Sequence, residues 1–434
     1  MTMTTIAILC VGDELLDGRI SDQNARHLTA ASQNRPWKIV EIRTVGDDQQ
    51  QICDALRALG AAQVVVVSGG LGPTDDDVTR RAAARFGGVN LVEDPSVLKQ
   101  LKRRFVDRKR TFSENNRRQA QFPQHCTILP TEVGTAAGFR MKRDDTDYYF
   151  FPGVPSEFRW FTDTYLPGST EANQQYRKRL FFFGRGESDL ESALGDIPRR
   201  AEEQGIKIGF RADLPLLEIA LSGDDEDDGR YLERRIRATI GPWLVAEDDE
   251  SFSARTGRRL IEDSATVCVA ESCTAGLLGA KLTEASGSSR YFEEGYLTYA
   301  NRAKERLLGV DTDILESHGA VSPQVAAQMA LGARERSGAT YALAVSGIAG
   351  PTGGTPQKPV GTVDFALATP EGVLVRRDHY LGRNRHQVRL LSVHRALALL
   401  LWRLEDRLIG EHRVYGPFDD DEVRQGIDVD VTSH

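Results

Sequence analysis

The run Thr266-Val267-Cys268-Val269-Ala270-Glu271-Ser272-Cys273-Thr274-Ala275-Gly276-Leu277-Leu278-Gly279-Ala280-Lys281-Leu282 sets a short apolar strand directly against a helix. Thr266 to Ala270 has the length and composition of a buried strand, and Leu277 to Leu282 that of the helix it feeds. Ser272 therefore falls on a strand-to-helix turn. A hydroxyl there sits beside the unpaired N–H groups and positive dipole end of a helix, where a developing oxyanion is stabilised. The plainer reading is that Ser272 or Thr274 caps the helix.

Two neighbouring runs bear on that choice. Gly295-Tyr296-Leu297-Thr298-Tyr299-Ala300-Asn301-Arg302-Ala303-Lys304 reads as a strand that breaks into a helix near Asn301, so Tyr299 and Lys304 flank a second junction of the same kind. Neighbouring parallel strands would put both junctions on the carboxyl edge of one sheet, the usual ligand site of open α/β sheets. Ser272, Tyr299 and Lys304 then meet. Tyr341 to Val345 is a third apolar strand, and Ser346-Gly347-Ile348-Ala349-Gly350-Pro351-Thr352-Gly353-Gly354-Thr355 after it is a turn whose backbone can approach a phosphate or ribose.

These segments in this order, followed by Lys358-Pro359-Val360-Gly361-Thr362-Val363, closely resemble the C-terminal domain of the CinA family from about Phe252 to about Glu405. The resemblance implies an α/β domain that deamidates nicotinamide mononucleotide and needs no metal. It places the chemistry on Ser272 rather than on the adjacent Cys273. Lys304, its pKa lowered by partial burial, would take the proton directly or through Tyr299. Thr274, Asn301, Ser346, Gly347, Gly350, Thr352, Gly353 and Gly354 are the expected substrate contacts. Arg383 or Arg385 would hold the substrate phosphate, the alternative being ordinary surface solvation. His318, His379, His386 and His394 form no motif. Two positions depart from the family: Ala275 stands where it has Gly, and Ala300 where it has Ser.

Earlier in the chain, strands and helices alternate as in a wound, mostly parallel sheet. Ile6 to Val11, Lys38 to Thr44 and Val64 to Ser68 read as strands, with Asp22 to Gln33 and Gln49 to Leu59 as helices. The loops Gly12-Asp13-Glu14, Gly69-Gly70-Leu71-Gly72-Pro73-Thr74-Asp75-Asp76-Asp77 and Gly134-Thr135-Ala136-Ala137-Gly138 follow or lead into strands. This set, from Thr4 to Leu166, resembles the N-terminal, molybdopterin-binding-like domain of CinA, with Ala137 where the family has Pro. The resemblance implies a phosphate-bearing ligand at Gly12, Glu14, Gly69, Gly70, Gly72, Thr74, Gly134 and Thr135, and a metal-dependent ADP-ribose pyrophosphatase activity. Asp75, Asp76 and Glu14 are oxygen donors suited to a divalent cation. Otherwise Thr74 and the aspartates cap a helix starting near Val78.

The 434-residue chain is long enough for two or three cores. Four parts are expected: 1–166, a small α+β middle module over 167–250, the domain at 251–412 and an acidic tail over 413–434. In the middle module, 179–184 and 216–221 read as strands, and 187–197 and 228–240 as helices. Its Gly205-Ile206-Lys207-Ile208-Gly209-Phe210 turn resembles the middle domain of full-length CinA proteins. The run from Asp224 to Asp228 reads as a solvated turn, and the tail as mobile or pinned only at its start. A net charge of −8 argues against a basic nucleic-acid-binding surface. Five cysteines without a C-x-x-C pair argue against a disulfide framework or a structural zinc site. No signal-peptide or membrane-span pattern occurs, so a cytoplasmic protein, self-associating and acting on small pyridine nucleotides, is expected.

Overall fold

The computed structural model describes residues 3–109, 111–168, 175–407 and 413–428. The chain divides into two compact units, Met1–Gln174 and Gln175–His434. Among the described residues no helix is long and apolar enough to cross a membrane.

The first unit is built on β1 (Thr4–Val11), β2 (Trp37–Val45) and β3 (Val64–Ser68), with a small ribbon of β4 (Leu91–Glu93) and β5 (Gln121–Pro123). β6 (Thr127–Leu129), β7 (Gly138–Arg143) and β8 (Thr146–Phe151) complete a six-stranded sheet in the order β2-β1-β3-β8-β7-β6. The pairs β1–β2, β1–β3 and β3–β8 are parallel, while β7 and β6 form an antiparallel edge. The run of four valines in β3 is wholly buried, as a central parallel strand covered on both faces requires. Asp22 and Asp48 cap the helices Gln23–Ala31 and Gln49–Leu59, fixing where the chain leaves β1 and β2. The carboxyl ends of β1, β3 and β8 consequently open on one side, where the loops beginning at Gly12, Gly69 and Pro152 gather.

The second unit begins with β9 (Tyr176–Phe182), β10 (Lys207–Asp213), β11 (Leu216–Gly223) and β12 (Leu244–Glu247), an antiparallel sheet ordered β10-β11-β9-β12. The helix expected over 187–197 is broken at Gly195, whose φ of 57° cannot continue a helix, into Glu187–Leu194 and Ile197–Glu203. The acidic run at 224–228 is also more than a turn. Asp225 accepts from the Asp228 amide and starts the helix Glu226–Ile240, whose dipole its acidic first turn complements. Nor is this segment free-standing. Phe183, Val245 and Ala246 belong to the same apolar cluster as Val267, Leu278 and Trp402, and Arg407 donates to the carbonyls of Gly241 (2.9 Å), Pro242 (3.1 Å) and Leu244 (2.9 Å).

β13 (Val267–Glu271), β14 (Phe292–Leu297), β15 (Tyr341–Gly347), β16 (Thr362–Thr369), β17 (Gly372–His379) and β18 (Tyr415–Phe418) form the last sheet, ordered β14-β13-β15-β16-β17-β18. Its first three strands are parallel and the rest antiparallel. Alternate residues of β13 enter different cores: Val267 and Val269 join Leu343, Phe365 and the helix Arg385–Leu404, whereas Cys268 and Ala270 join Ala344, Ala366 and the helix Pro323–Ser337.

The acidic tail corrects its expectation. Tyr415–Phe418 adds a strand to the sheet, and Asp419 with Glu422 forms a reciprocal cap on the helix Asp420–Gln425. Val423 is fully buried, and Gln324 and Gln328 donate to the carbonyls of Ile427 (2.9 Å) and Val423 (3.2 Å). Acidic composition hid one apolar anchor per turn. Val423→Ala is expected to lower unfolding free energy by about 2 kcal/mol in chemical denaturation; an unchanged midpoint would show that the tail is not packed.

Candidate functional site

The turn after β13 is held from two sides. Glu271, the last strand residue, is buried, and its carboxylate accepts from the amides of Gly276 (2.9 Å), Leu278 (3.1 Å) and Gly279 (2.8 Å). From outside, Arg389 donates to the carbonyls of Cys273 (3.0 Å) and Thr274 (2.8 Å). Neither Ser272 nor Thr274 caps the helix; the strand's own carboxylate does. The first amides of the helix Leu277–Leu282 are therefore engaged, so an oxyanion could not draw on them as the sequence reading expected. Among the described residues no backbone carbonyl accepts from the amides of Thr274 or Ala275, which lie in the turn itself. Ala275 has φ 49°, a left-handed conformation that a Cβ makes unfavourable by about 1 kcal/mol.

Lys304 lies on the helix Asn301–Leu308, whose first turn follows β14 without a side-chain cap at Ala300. It is 1% exposed, and its Nζ donates to the carbonyls of Thr298 (2.7 Å) and Tyr299 (3.5 Å) and lies 3.2 Å from Ser272 Oγ. Among the described residues no carboxylate pairs with it. Burial pushes its pKa down to about 8, because the charged form loses water without gaining a counter-charge. A neutral amine suits this setting. Its two N–H bonds meet two carbonyls, leaving the lone pair for the Ser272 hydroxyl proton.

Tyr299 does not join the pair through its side chain. Its ring is 62% exposed, its hydroxyl accepts from Arg385 Nη2 at 3.3 Å, and only its carbonyl faces Lys304. The chain turns outward at this residue to enter the next helix, so alternation carries Thr298, not Tyr299, to the buried side. Arg385 also donates to the Gly350 carbonyl at 2.9 Å, fastening the Gly-rich loop. Ser346 is buried and donates to the Ala320 carbonyl at 2.5 Å; Gly347 ends β15. Asn301, Thr352, Gly353, Gly354 and Arg383 are exposed. Thr274 is buried with its hydroxyl unpartnered. Cys273 faces the core opposite Lys304, and burial pushes its thiol up to about 12. Sequence reasoning missed Glu271 and Arg389. The i, i+4 spacing from Arg385 to Arg389 and the acid closing an apolar strand were the available signals.

In the first unit a cleft of about 520 Å³ is lined by Gly12, Glu14, Asp47, Gly69, Gly70, Gly72, Asp76, Asp77, Thr135 and Glu157, among others. Asp77 organises its Gly-rich wall, accepting from the amides of Gly72 (2.7 Å) and Thr74 (2.8 Å) and from the Thr74 hydroxyl (2.5 Å). Gly134 leaves room for Glu157, since a Cβ there would lie 2.0 Å from its carboxylate. Burial raises the pKa values of Glu157 and Asp47. The expected metal pair does not form. Asp76 faces the cleft, but Asp75 is ion-paired with Arg118 and lies outside it. Among the described residues no group of three acidic, His or Cys side chains is placed to hold a metal ion.

Comparison with known proteins matches two stretches of the chain to known families. Residues 249–404 match the CinA C-terminal domain, and residues 7–169 match a family described as a probable molybdopterin binding domain. A CinA-like protein of Citrifermentans bemidjiense is 40% identical over 402 residues, covering 90% of this chain and 95% of that protein. One of Geobacter metallireducens is 39% identical over 410 residues, covering 92% and 98%. Among solved structures, the competence/damage inducible protein CihA of Agrobacterium tumefaciens is 46% identical, covers 35% of this chain and 93% of its own, and has a TM-score of 0.33.

Glu271→Gln should loosen the turn, because an amide places N–H against N–H at one or more of the three bonds. A loss of about 2 kcal/mol in unfolding free energy is expected, with slower labelling of Ser272 by a fluorophosphonate. Wild-type stability and labelling would show that the carboxylate does not hold the turn.

Proposed function

The chain belongs to the CinA family, and from that premise we infer that its C-terminal site hydrolyses the carboxamide of nicotinamide mononucleotide to nicotinate mononucleotide and ammonia. The observation that carries the reading is the unpaired, buried Lys304 amine 3.2 Å from Ser272 Oγ. Ser272 Oγ attacks the carboxamide carbon as its proton passes to Lys304 Nζ. The oxyanion falls to the turn amides of Thr274 and Ala275. Collapse breaks the C–N bond, with the same proton delivered to nitrogen, so ammonia leaves and an ester of Ser272 remains. Water then attacks the ester carbon, its proton going to Nζ and from there to Ser272 Oγ, releasing the acid. Protein groups carry every proton in this scheme, and no metal takes part. Arg383 and the exposed loop at Thr352, Gly353 and Gly354 are the groups proposed for the 5′-phosphate, since Arg385 is engaged with Tyr299 and Gly350.

A second reading concerns the first unit. Its cleft, with the Asp77-organised Gly-rich wall, suits a phosphate-bearing ligand such as ADP-ribose, and binding is proposed there without a catalytic step.

Ser272→Ala is expected to reduce ammonia release at least about 1000-fold with the fold intact, and Cys273→Ala to stay near wild type. Ammonia release by the two variants in parallel checks the assignment, the reverse order sinking it. Because the Lys304 pKa is lowered, its base form grows as pH rises through about 8. kcat/KM should climb over that range and level off above it. Lys304→Arg should be as damaging as Lys304→Ala, since a guanidinium cannot accept the proton; a well-active arginine variant would reduce Lys304 to an electrostatic role.

A further inference from the structure

Strand register places four polar residues in one row across the carboxyl edge of the last sheet. Ala270 pairs with Tyr296 on one side and Ala344 on the other, and Ser346 pairs with Asp364. The ladders continue past the strand ends, with the Ser272 amide donating to the Val345 carbonyl (3.0 Å) and the Thr298 amide to the Glu271 carbonyl (2.9 Å). Two residues beyond Ala270 and Tyr296, the row therefore reads Thr298, Ser272, Ser346 and Asp364, all on the face that carries the Lys304 helix.

Three of the four have assigned partners. Ser272 faces Lys304, Ser346 donates to Ala320, and Asp364 is held by two bonds from Arg377 at 2.7 and 2.8 Å. Thr298 is the exception. It is fully buried, and its Oγ1 makes no hydrogen bond among the described residues. An unsatisfied buried hydroxyl is unfavourable, and in a native protein it calls for a reason. Its position supplies one, because the Thr298 carbonyl is bound to Lys304 Nζ at 2.7 Å. That ties the hydroxyl of the same residue to the neighbourhood of the base, beside the nucleophile.

We propose that Thr298 Oγ1 is the positioning group for the hydrolytic water of the second half-reaction, holding it between Lys304 Nζ and the ester carbon on Ser272. This rests on the amidase reading. Acylation needs only the Ser272 proton and Lys304. Deacylation needs a water fixed in two directions, by the amine that takes its proton and by a second group that sets its approach. The water's oxygen bonds to the acyl carbon and one of its protons passes to Nζ. The ester C–O bond then breaks, and Ser272 Oγ takes that proton back. Thr274, the other unpartnered buried hydroxyl in the turn, follows Ser272 by two residues on the nucleophile's own segment. Its carbonyl is held by Arg389, not by Lys304.

The test compares wild type, Thr298→Val, Thr298→Ser and Thr274→Val by rapid quench. Two acyl donors are used, nicotinamide mononucleotide and p-nitrophenyl nicotinate, with intact-protein mass spectrometry. Valine keeps the shape and removes an unpartnered hydroxyl, so thermal unfolding should be unchanged or raised. Thr298→Val is expected to release one equivalent of leaving group per site at the wild-type rate, then turn over about 100-fold more slowly. kcat and KM should fall together with kcat/KM unchanged, and the acyl-enzyme should be visible by mass. Thr298→Ser should turn over within about threefold of wild type. A Thr298→Val enzyme that turns over normally, or that loses the first equivalent as well, overturns the assignment, as does a burst confined to Thr274→Val. A wild type active on the ester but not on nicotinamide mononucleotide overturns the substrate reading alone, while the ester burst still decides Thr298. Inertness toward both donors overturns both.

Discussion

A lysine amine buried without a carboxylate is the constraint around which the C-terminal sheet is organised. An isolated ammonium in such a place is unfavourable, and burial lowers its pKa to about 8. Lys304 meets only carbonyl oxygens and one hydroxyl, so every contact it has is compatible with the neutral form. Position matters as much as chemistry. The helix Asn301–Leu308 begins directly after β14, the edge strand beside β13, and its fourth residue reaches back over the sheet edge to the residue that follows β13.

The same economy governs the turn after β13. A helix beginning one turn after a buried strand exposes its first amides to the interior, where water cannot satisfy them. Glu271 meets three of those amides, and the arrangement fixes the path of the chain through Ser272, Cys273 and Thr274 before any substrate arrives. Arg389 fixes the carbonyls of the same turn. A carboxylate and a guanidinium, the two strongest recognition groups available, are thus both devoted to backbone. The side chain between them remains free to react.

Much of this was legible before the structure. The helix Gln49–Leu59 and the strand Val64–Ser68 fall where periodicity placed them, because an amphipathic run and four successive valines leave little choice. The meeting of Ser272 with Lys304 followed from two junctions on adjacent parallel strands. What escaped was set by partners distant in sequence. Arg389 reaches a turn more than a hundred residues earlier. The tail's order depends on Gln324 and Gln328, and a local reading saw only its acids. Arg407, just past the helix Arg385–Leu404, ties that end of the chain to the middle segment through three carbonyl bonds at Gly241, Pro242 and Leu244. Asp75 was read as a cleft residue because it adjoins Asp76, but consecutive residues of a loop point apart and Arg118 takes it.

Parity explains why the serine and not the cysteine faces Lys304. In β13 the odd positions 267 and 269 enter the core beneath the helix Arg385–Leu404, and the even positions 268 and 270 enter the core beneath the helix Pro323–Ser337. Extending the alternation by one step sends Ser272 to the side where Lys304 lies and Cys273 to the other, where its thiol is buried among apolar groups and stays protonated. A shift of one residue in register would exchange the two and place the thiol against the amine. The register is secured by Val267 and Val269 on one face and by Ala270 on the other. Ala270 is small enough for Ala344 and Ala366 to pack alongside it, so a bulkier even-numbered residue would press on the helix Pro323–Ser337. Under the proposed mechanism, the choice of nucleophile is therefore made by packing residues within the strand.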